Sequence, residues 1–301
     1  MARAVLMMLF CNVIGGLTYP WQKMALEGLP PATITALRSL LAIGCMAGWI
    51  VAKEGRLRWP WDRRATGRLA VVGTAGLAFP LMLGIWGLER STAANASILI
   101  LLEPVSILVF SHLLLRERVG GTRGAGVAIG IAGALCVVAE DLGSASLLGS
   151  GHFAGNLMLA ASAVLWGVYS PVISPLAKKH SAVELAFATQ VVAQVMFTPA
   201  AILESNRWVA GPHLGEALLY TAILGLLASF LGTVLWVRAL RDLPASVVAP
   251  FVLLQPAIGA GAGVLLLDER LSNWALAGAA LAACGVGLVL YGERRAAVPA
   301  E

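Results

Sequence analysis

Residues 92–139 of this chain recur in altered form at residues 244–291, and no other sequence feature constrains its fold so strongly. Aligning Leu102-Glu103-Pro104 with Leu254-Gln255-Pro256 sets an offset of 152 residues. The same offset pairs Leu88 with Leu240, Ala93 with Ala245, Leu115 with Leu267 and Glu117 with Glu269. It also pairs Arg118 with Arg270, Gly126 with Gly278 and Gly133 with Gly285. Near the start of each half, Gly16 and Pro20 match Gly167 and Pro171 at an offset of 151. A drift of one residue over that distance is a loop insertion or deletion, so the chain reads as an internal duplication. The boundaries follow as a first repeat over 1–143 and a second over 144–301.

What is duplicated follows from the charge. Only 12% of the 301 residues are charged, 59% are hydrophobic, and the mean hydropathy is +0.84. A soluble domain carries about 25% charged residues. The charges here are also segregated, leaving apolar stretches of the length that crosses a bilayer, about 20 residues. Ten are read, at roughly 4–26, 32–52, 68–88, 92–114, 121–139, 153–177, 182–204, 215–240, 244–267 and 272–291. Backbone polar groups in hydrocarbon find partners within a single segment only by forming a helix. A transmembrane barrel would instead show stretches of about ten alternating residues. The expected fold is therefore all-α and polytopic, with ten transmembrane helices in two five-helix repeats. The first span has one Arg before it and no small-residue cleavage site after it, so it is expected to be a retained helix. Cys11, Cys45, Cys136 and Cys284 lie far apart inside apolar spans without C-x-x-C spacing. They read as buried apolar side chains, and no metal site or cofactor is expected.

With the N-terminus in the cytoplasm, 16 of the 21 Lys and Arg residues fall on the cytoplasmic side. The other five, Lys23, Arg38, Arg90, Arg207 and Arg270, lie at or near the opposite face, together with acids such as Glu27, Glu89, Asp268 and Glu269. This bias is what the positive-inside rule expects of a multi-pass protein with both termini in the cytoplasm. The net charge of +5 is then an orientation signal, and no nucleic-acid partner is implied. Five spans per repeat is an odd number, so the two copies insert upside down relative to one another. Inverted repeats are the recurrent build of secondary transporters, with the substrate site near the midplane between halves.

These residues resemble a known family. Ten spans as five plus five, Glu103-Pro104 in helix four, the following Leu-Leu-Leu-Arg-Glu117 and a Gly-spaced fifth helix are similar to the EamA-type branch of the drug/metabolite transporter superfamily. The second copy repeats the pattern as Gln255-Pro256, Leu-Leu-Leu-Asp-Glu269 and Gly278 to Gly285. The resemblance covers the whole chain. It implies a carrier of small metabolites in the plasma membrane (the inner membrane in a bacterium), commonly an exporter of amino acids or related compounds. In one departure, this chain reads Gly15-Gly16 where the family has Trp-Gly in its first helix, while helix six keeps Trp166-Gly167. Any aromatic contribution from helix one falls to Tyr19 or Trp21.

Polar residues inside spans are costly and face a cavity or the bundle interior. Glu103 must be protonated, paired or hydrated. It either binds a proton or an amino group, or hydrogen-bonds neighbouring backbone freed by Pro104 and only shapes the helix. Gln255 repeats its shape without the charge. Pro104 and Pro256, with Pro20 and Pro171, weaken their helices locally and mark candidate gating positions in both halves. Trp166, Tyr169 and Ser170 before Pro171, and Tyr19 before Pro20, read either as an amphipathic cavity wall or as an interfacial belt. Trp86 and Trp236 lie nearer helix ends and read as anchors. Arg38 is too deep for a surface charge; it either snorkels outwards or lines the outer vestibule and attracts a carboxylate. Gln190 and Gln194 share one face of helix seven and, with Asn95, are candidates for substrate contact or for bonds between helices.

No G-x-x-x-x-G-K-[ST] loop, H-E-x-x-H helix or G-x-S-x-G elbow is present, which excludes direct ATP drive and the common hydrolytic sites. The expectation is a non-enzymatic secondary transporter in the lipid bilayer, working by alternating access and exporting a small-molecule substrate, with amino acids first and proton coupling open. An exporter of drugs or nucleotide-like metabolites would use the same fold. An intramembrane lipid-modifying enzyme is the distant alternative. Oligomeric state is not legible.

Overall fold

The computed structural model describes residues 2–55, 62–115, 121–139, 152–208, 211–242, 251–252 and 254–297. Among these there is no strand, and the helices follow the apolar stretches. The first half contains α1 (Ala2–Ala25), α2 (Pro31–Glu54), α3 (Arg63–Gly73), α4 (Phe79–Glu89), α5 (Ala93–Leu99), α6 (Leu102–Leu115) and α7 (Gly121–Ala139). The second contains α8 (Phe153–Ala177), α9 (Ala182–Leu203), α10 (Leu214–Ile223), α11 (Thr233–Asp242), α12 (Leu254–Leu267) and α13 (Asn273–Ala297). Six helical stretches are long and apolar enough to cross a membrane: Pro31–Glu54, Arg63–Glu89, Ala93–Leu114, Phe153–Ala177, Ala182–Leu203 and Leu214–Asp242.

Local chemistry sets several helix ends. Pro30 and Pro31 open α2, where a missing N–H costs nothing because the first turn has no acceptor for it. Gly55, with φ 74°, closes the same helix by donating its N–H to Val51. Asp62 caps α3 by accepting from the Ala65 amide, and Thr92 caps α5 by accepting from the Asn95 amide. Asp268 takes φ 52° after α12 and turns the chain so that Glu269 faces α5.

Two departures from straight helices lie at corresponding places. Thr74–Ala78 joins α3 to α4 as a π-helical stretch, and Leu224–Gly232 does the same between α10 and α11. Such insertions within α-helices concentrate at functional sites. The fourth span is also broken, with Ile100 and Leu101 separating α5 from α6. Pro104 stands in the first turn after that break, where it removes no interior hydrogen bond.

Packing is reciprocal between halves. α1 lies against α12, and α8 against α6; α1 touches α11, and α8 touches α4; α2 meets the second π-helical stretch, and α9 the first. α7 packs along α13, where Gly285 approaches the backbone of Gly126 and Gly130 too closely for any side chain.

One end of the bundle is tied by polar contacts. Glu204 accepts from the Ala32 amide at the start of α2 and from Trp86 Nε1, both at 2.8 Å. Arg207 pairs with Glu89, whose hydrogen bond raises the guanidinium further above its ordinary range. Lys23 donates to the carbonyls of Leu88 and Ser91, and Glu269 accepts from the amides of Ala93 and Ala94 at 2.7 and 2.8 Å. The cations Lys23 and Arg207 thus meet acids and carbonyls at the end where the ends of α1, α4, α9 and α12 join the starts of α2 and α5. The bundle's perimeter is apolar: Leu265 is 82% exposed, Leu203 81% and Val195 72%. Water would penalise such a surface, whereas lipid tails match it.

Candidate functional site

Between the halves lies a cavity offering about 190 Å³ to the centres of water molecules. Its walls come from α1, α2, the α3–α4 stretch, α5, α6, α8, α9, the second π-helical stretch, α11 and α12. Eight of the ten candidate substrate residues line it: Tyr19, Arg38, Glu103, Trp166, Tyr169, Ser170, Gln190 and Gln255. Gln194 and Asn95 do not. Gln194 donates to Thr198 Oγ1 at 2.9 Å, and Asn95 donates to Asn156 Oδ1 at 3.3 Å.

The aromatic wall is built on α8. A three-residue step puts Trp166 and Tyr169 on one face, with ring centroids 6.3 Å apart and planes at 60°. Ser170 accepts from Trp236 Nε1 at 3.2 Å, which brings Trp236 to the cavity. That corrects its reading as a membrane anchor. α11 follows directly on the π-helical stretch, and nearness to a helix end does not show that the Trp236 side chain reaches the cavity. Trp86 is tied to Glu204 and not to the cavity.

The polar wall is divided. Gln255 donates to Asn12 Oδ1 at 2.8 Å and lies against Gly15, where an added Cβ would stand 2.7 Å from its amide carbon. Gly15 therefore makes room for Gln255. Gln190 accepts from Ser39 Oγ at 2.8 Å and donates to the Ser229 carbonyl at 3.4 Å. Arg38, 5% exposed, donates Nε to Ser229 Oγ at 2.8 Å. Glu103 is 7% exposed, and among the described residues its carboxyl accepts no hydrogen bond. The Glu103 amide donates at 2.8 Å to the Ile100 carbonyl, the group that Pro104, lacking an N–H, leaves free.

Pro20 and Pro171 lie inside α1 and α8, beside the aromatic positions; Pro256 stands near the start of α12 as Pro104 does in α6. The sequence did not single out Thr18, Gln22, Ser162, Ser229 or Thr233, which also line the cavity. Small hydroxyl residues are common in membrane helices as hydrogen-bond partners of their own backbone, and Gln22 likewise donates to the Thr18 carbonyl of its own helix, so residue type does not separate these from the rest.

Apolar helices packed around a central polar cavity, with an apolar perimeter, define a membrane transport protein. The chain belongs to the EamA-like transporter family, whose pattern matches residues 2–139 and again residues 153–291. It is 28% identical over 300 residues to a probable terminal-alkyne amino-acid exporter of Streptantibioticus cattleyicolor, covering 99% of this chain and 97% of that one. It is 24% identical to a probable amino-acid metabolite efflux pump of Escherichia coli, covering 94% and 93%. A solved crystal structure superposes with a TM-score of 0.67 at 21% identity over 99% of this chain and 100% of the other, a likeness of fold.

Proposed function

We propose that this protein exports amino acids or closely related small metabolites across the plasma membrane, the inner membrane in a bacterium, by alternating access. In this reading ten spans form two inverted five-helix repeats, residues 1–143 and 144–301, with both termini in the cytoplasm. One half rocks against the other about the central cavity.

The observation that carries the proposal is the make-up of that cavity. Both halves wall it, with Glu103 from the first and Trp166 from the second, and it holds a carboxyl and a guanidinium beside aromatic rings. A small molecule bearing charged ends and an apolar body fits those walls. Several observations support the repeat: the reciprocal helix pairings, the two π-helical stretches, the break or Pro near the start of α6 and α12, and a family match that falls on two stretches. Close contacts also correspond under the sequence offset, since Gly16 abuts Ile258 while Gly167 abuts Ser106. The starts of α2 and α5 lie at the same end as the finishes of α1, α9 and α12, as opposed halves require. Relatives named as an amino-acid exporter and an amino-acid metabolite efflux pump support the substrate class and the direction.

Purified protein in liposomes is expected to exchange labelled internal amino acid for unlabelled external amino acid. Lack of counterflow across a broad amino-acid panel would overturn the substrate assignment. Epitope tags after the fifth and tenth spans are expected outside and in the cytoplasm, respectively; both in one compartment would overturn the inverted arrangement.

A further inference from the structure

Arg38 is a buried cation without a counter-ion among the described residues. No acid lies within ion-pairing distance of it among the described residues, and its one hydrogen bond there is from Nε to Ser229 Oγ. Its terminal amino groups donate to no described protein atom, yet neither is sealed in packed protein, because Arg38 lines the cavity. A charge removed from water without a partner is strongly unfavourable, and inside a membrane protein such a group marks a functional position. Glu103 lines the same cavity from α6 but makes no ion pair with Arg38.

We propose that Arg38 is the carboxylate anchor of the substrate site, so that the transported compound must carry a carboxylate. The Nε bond to Ser229 fixes the plane of the guanidinium and leaves its outer edge as a fork whose two parallel N–H groups match two carboxylate oxygens. Gln190 stiffens this corner by bridging the Ser229 carbonyl and Ser39 Oγ, so the fork is preorganised before ligand arrives. Tyr169, 4% exposed, lines the same cavity. The inference rests on the transport reading, because it assigns the end of the substrate that this cavity holds. It separates the carboxylate from the amino group as determinants of recognition, and the carboxylate is the one that Arg38 makes obligatory.

The test measures ligand binding to purified full-length protein in lipid nanodiscs by thermal stabilisation. The probes are phenylalanine and leucine, their decarboxylated amines, their desamino acids, and chloride. Wild-type protein is expected to bind the amino acids and the desamino acids and to bind the amines at least about tenfold more weakly, the size of a lost charge-assisted hydrogen-bond pair. Arg38→Gln is expected to lose carboxylate binding by a similar factor, and Arg38→Lys to keep part of it. If the amines bind as well as the amino acids, if no carboxylate binds, or if chloride stabilises as strongly as any carboxylate, the assignment is overturned. The wild-type comparison decides the matter even where Arg38→Gln does not fold. Carboxylate-dependent binding without counterflow would keep the anchor and sink the transport reading. Counterflow that accepts amines equally would do the reverse.

Discussion

Gln255 donates a hydrogen bond to Asn12 across 243 residues of sequence, Nε2 to Oδ1 at 2.8 Å, and so joins α12 to α1 beside the cavity. Asn12 is fully buried and donates its own Nδ2 to the Met8 carbonyl at 2.8 Å, so its orientation is set by its own helix. Gln255 is thus held from the α1 side, while the Glu103 carboxyl has no such partner among the described residues.

Replacing Gln255 by Leu leaves the Asn12 oxygen without its donor, and the expected loss is about 1–2 kcal/mol of stability. Thermal unfolding in detergent would measure it. A double-mutant cycle with Asn12→Ala should return a coupling of about 0.6 kcal/mol, typical of hydrogen bonds between membrane helices. A coupling indistinguishable from zero would show that the bond adds nothing to helix association.

Glu269 caps the start of α5 from the end of α12, with each carboxylate oxygen taking one backbone amide. Glu269→Ala should lower stability by about 1–2 kcal/mol, and Glu269→Gln should recover part of that by keeping one acceptor. An unchanged melting temperature in Glu269→Ala would mean that water serves those amides equally well.

Among the described residues Glu103 is the one acid on the cavity wall, and its carboxyl accepts no hydrogen bond from them. If proton binding at this carboxyl drives transport, Glu103→Gln should still bind substrate while its transport rate becomes flat with pH. A full pH response in that variant would assign proton coupling to another group.

Gly167 abuts Ser106, with backbone atoms of Ser106 and Ile107 2.7 and 2.8 Å from an added Cβ, whereas Gly44 has nothing within 4 Å. Gly167→Ala should cost about 1–3 kcal/mol through overpacking against backbone that has no room to yield. Gly44→Ala should add up to about 1 kcal/mol by reducing backbone freedom in the unfolded chain. Yield and melting temperature of the two variants give the comparison, and equal behaviour would refute the packing argument.

Much was legible in the sequence. Apolar length alone placed helices such as 121–139 and 153–177, because lipid leaves the backbone no other way to satisfy its polar groups. Eight candidates chosen for being polar or aromatic inside spans meet around one cavity, since such groups are costly anywhere else in a bilayer. Gln194 and Asn95 carry the same signal but bond to neighbouring helical residues, and residue type does not distinguish the two fates. Trp236 reads as an anchor from its nearness to a helix end, but position along a span does not show that its indole reaches Ser170 across the cavity.

By itself, then, the sequence determined that the chain is apolar and helical, and which side chains are too polar to face lipid. Tertiary structure decided which of those side chains find protein partners and which stay open. It alone gives Gln255 to Asn12 and leaves the Arg38 fork and the Glu103 carboxyl facing the cavity. The reason is physical. Hydropathy is a property of each residue in isolation, whereas the satisfaction of a polar group depends on which helix packs opposite it.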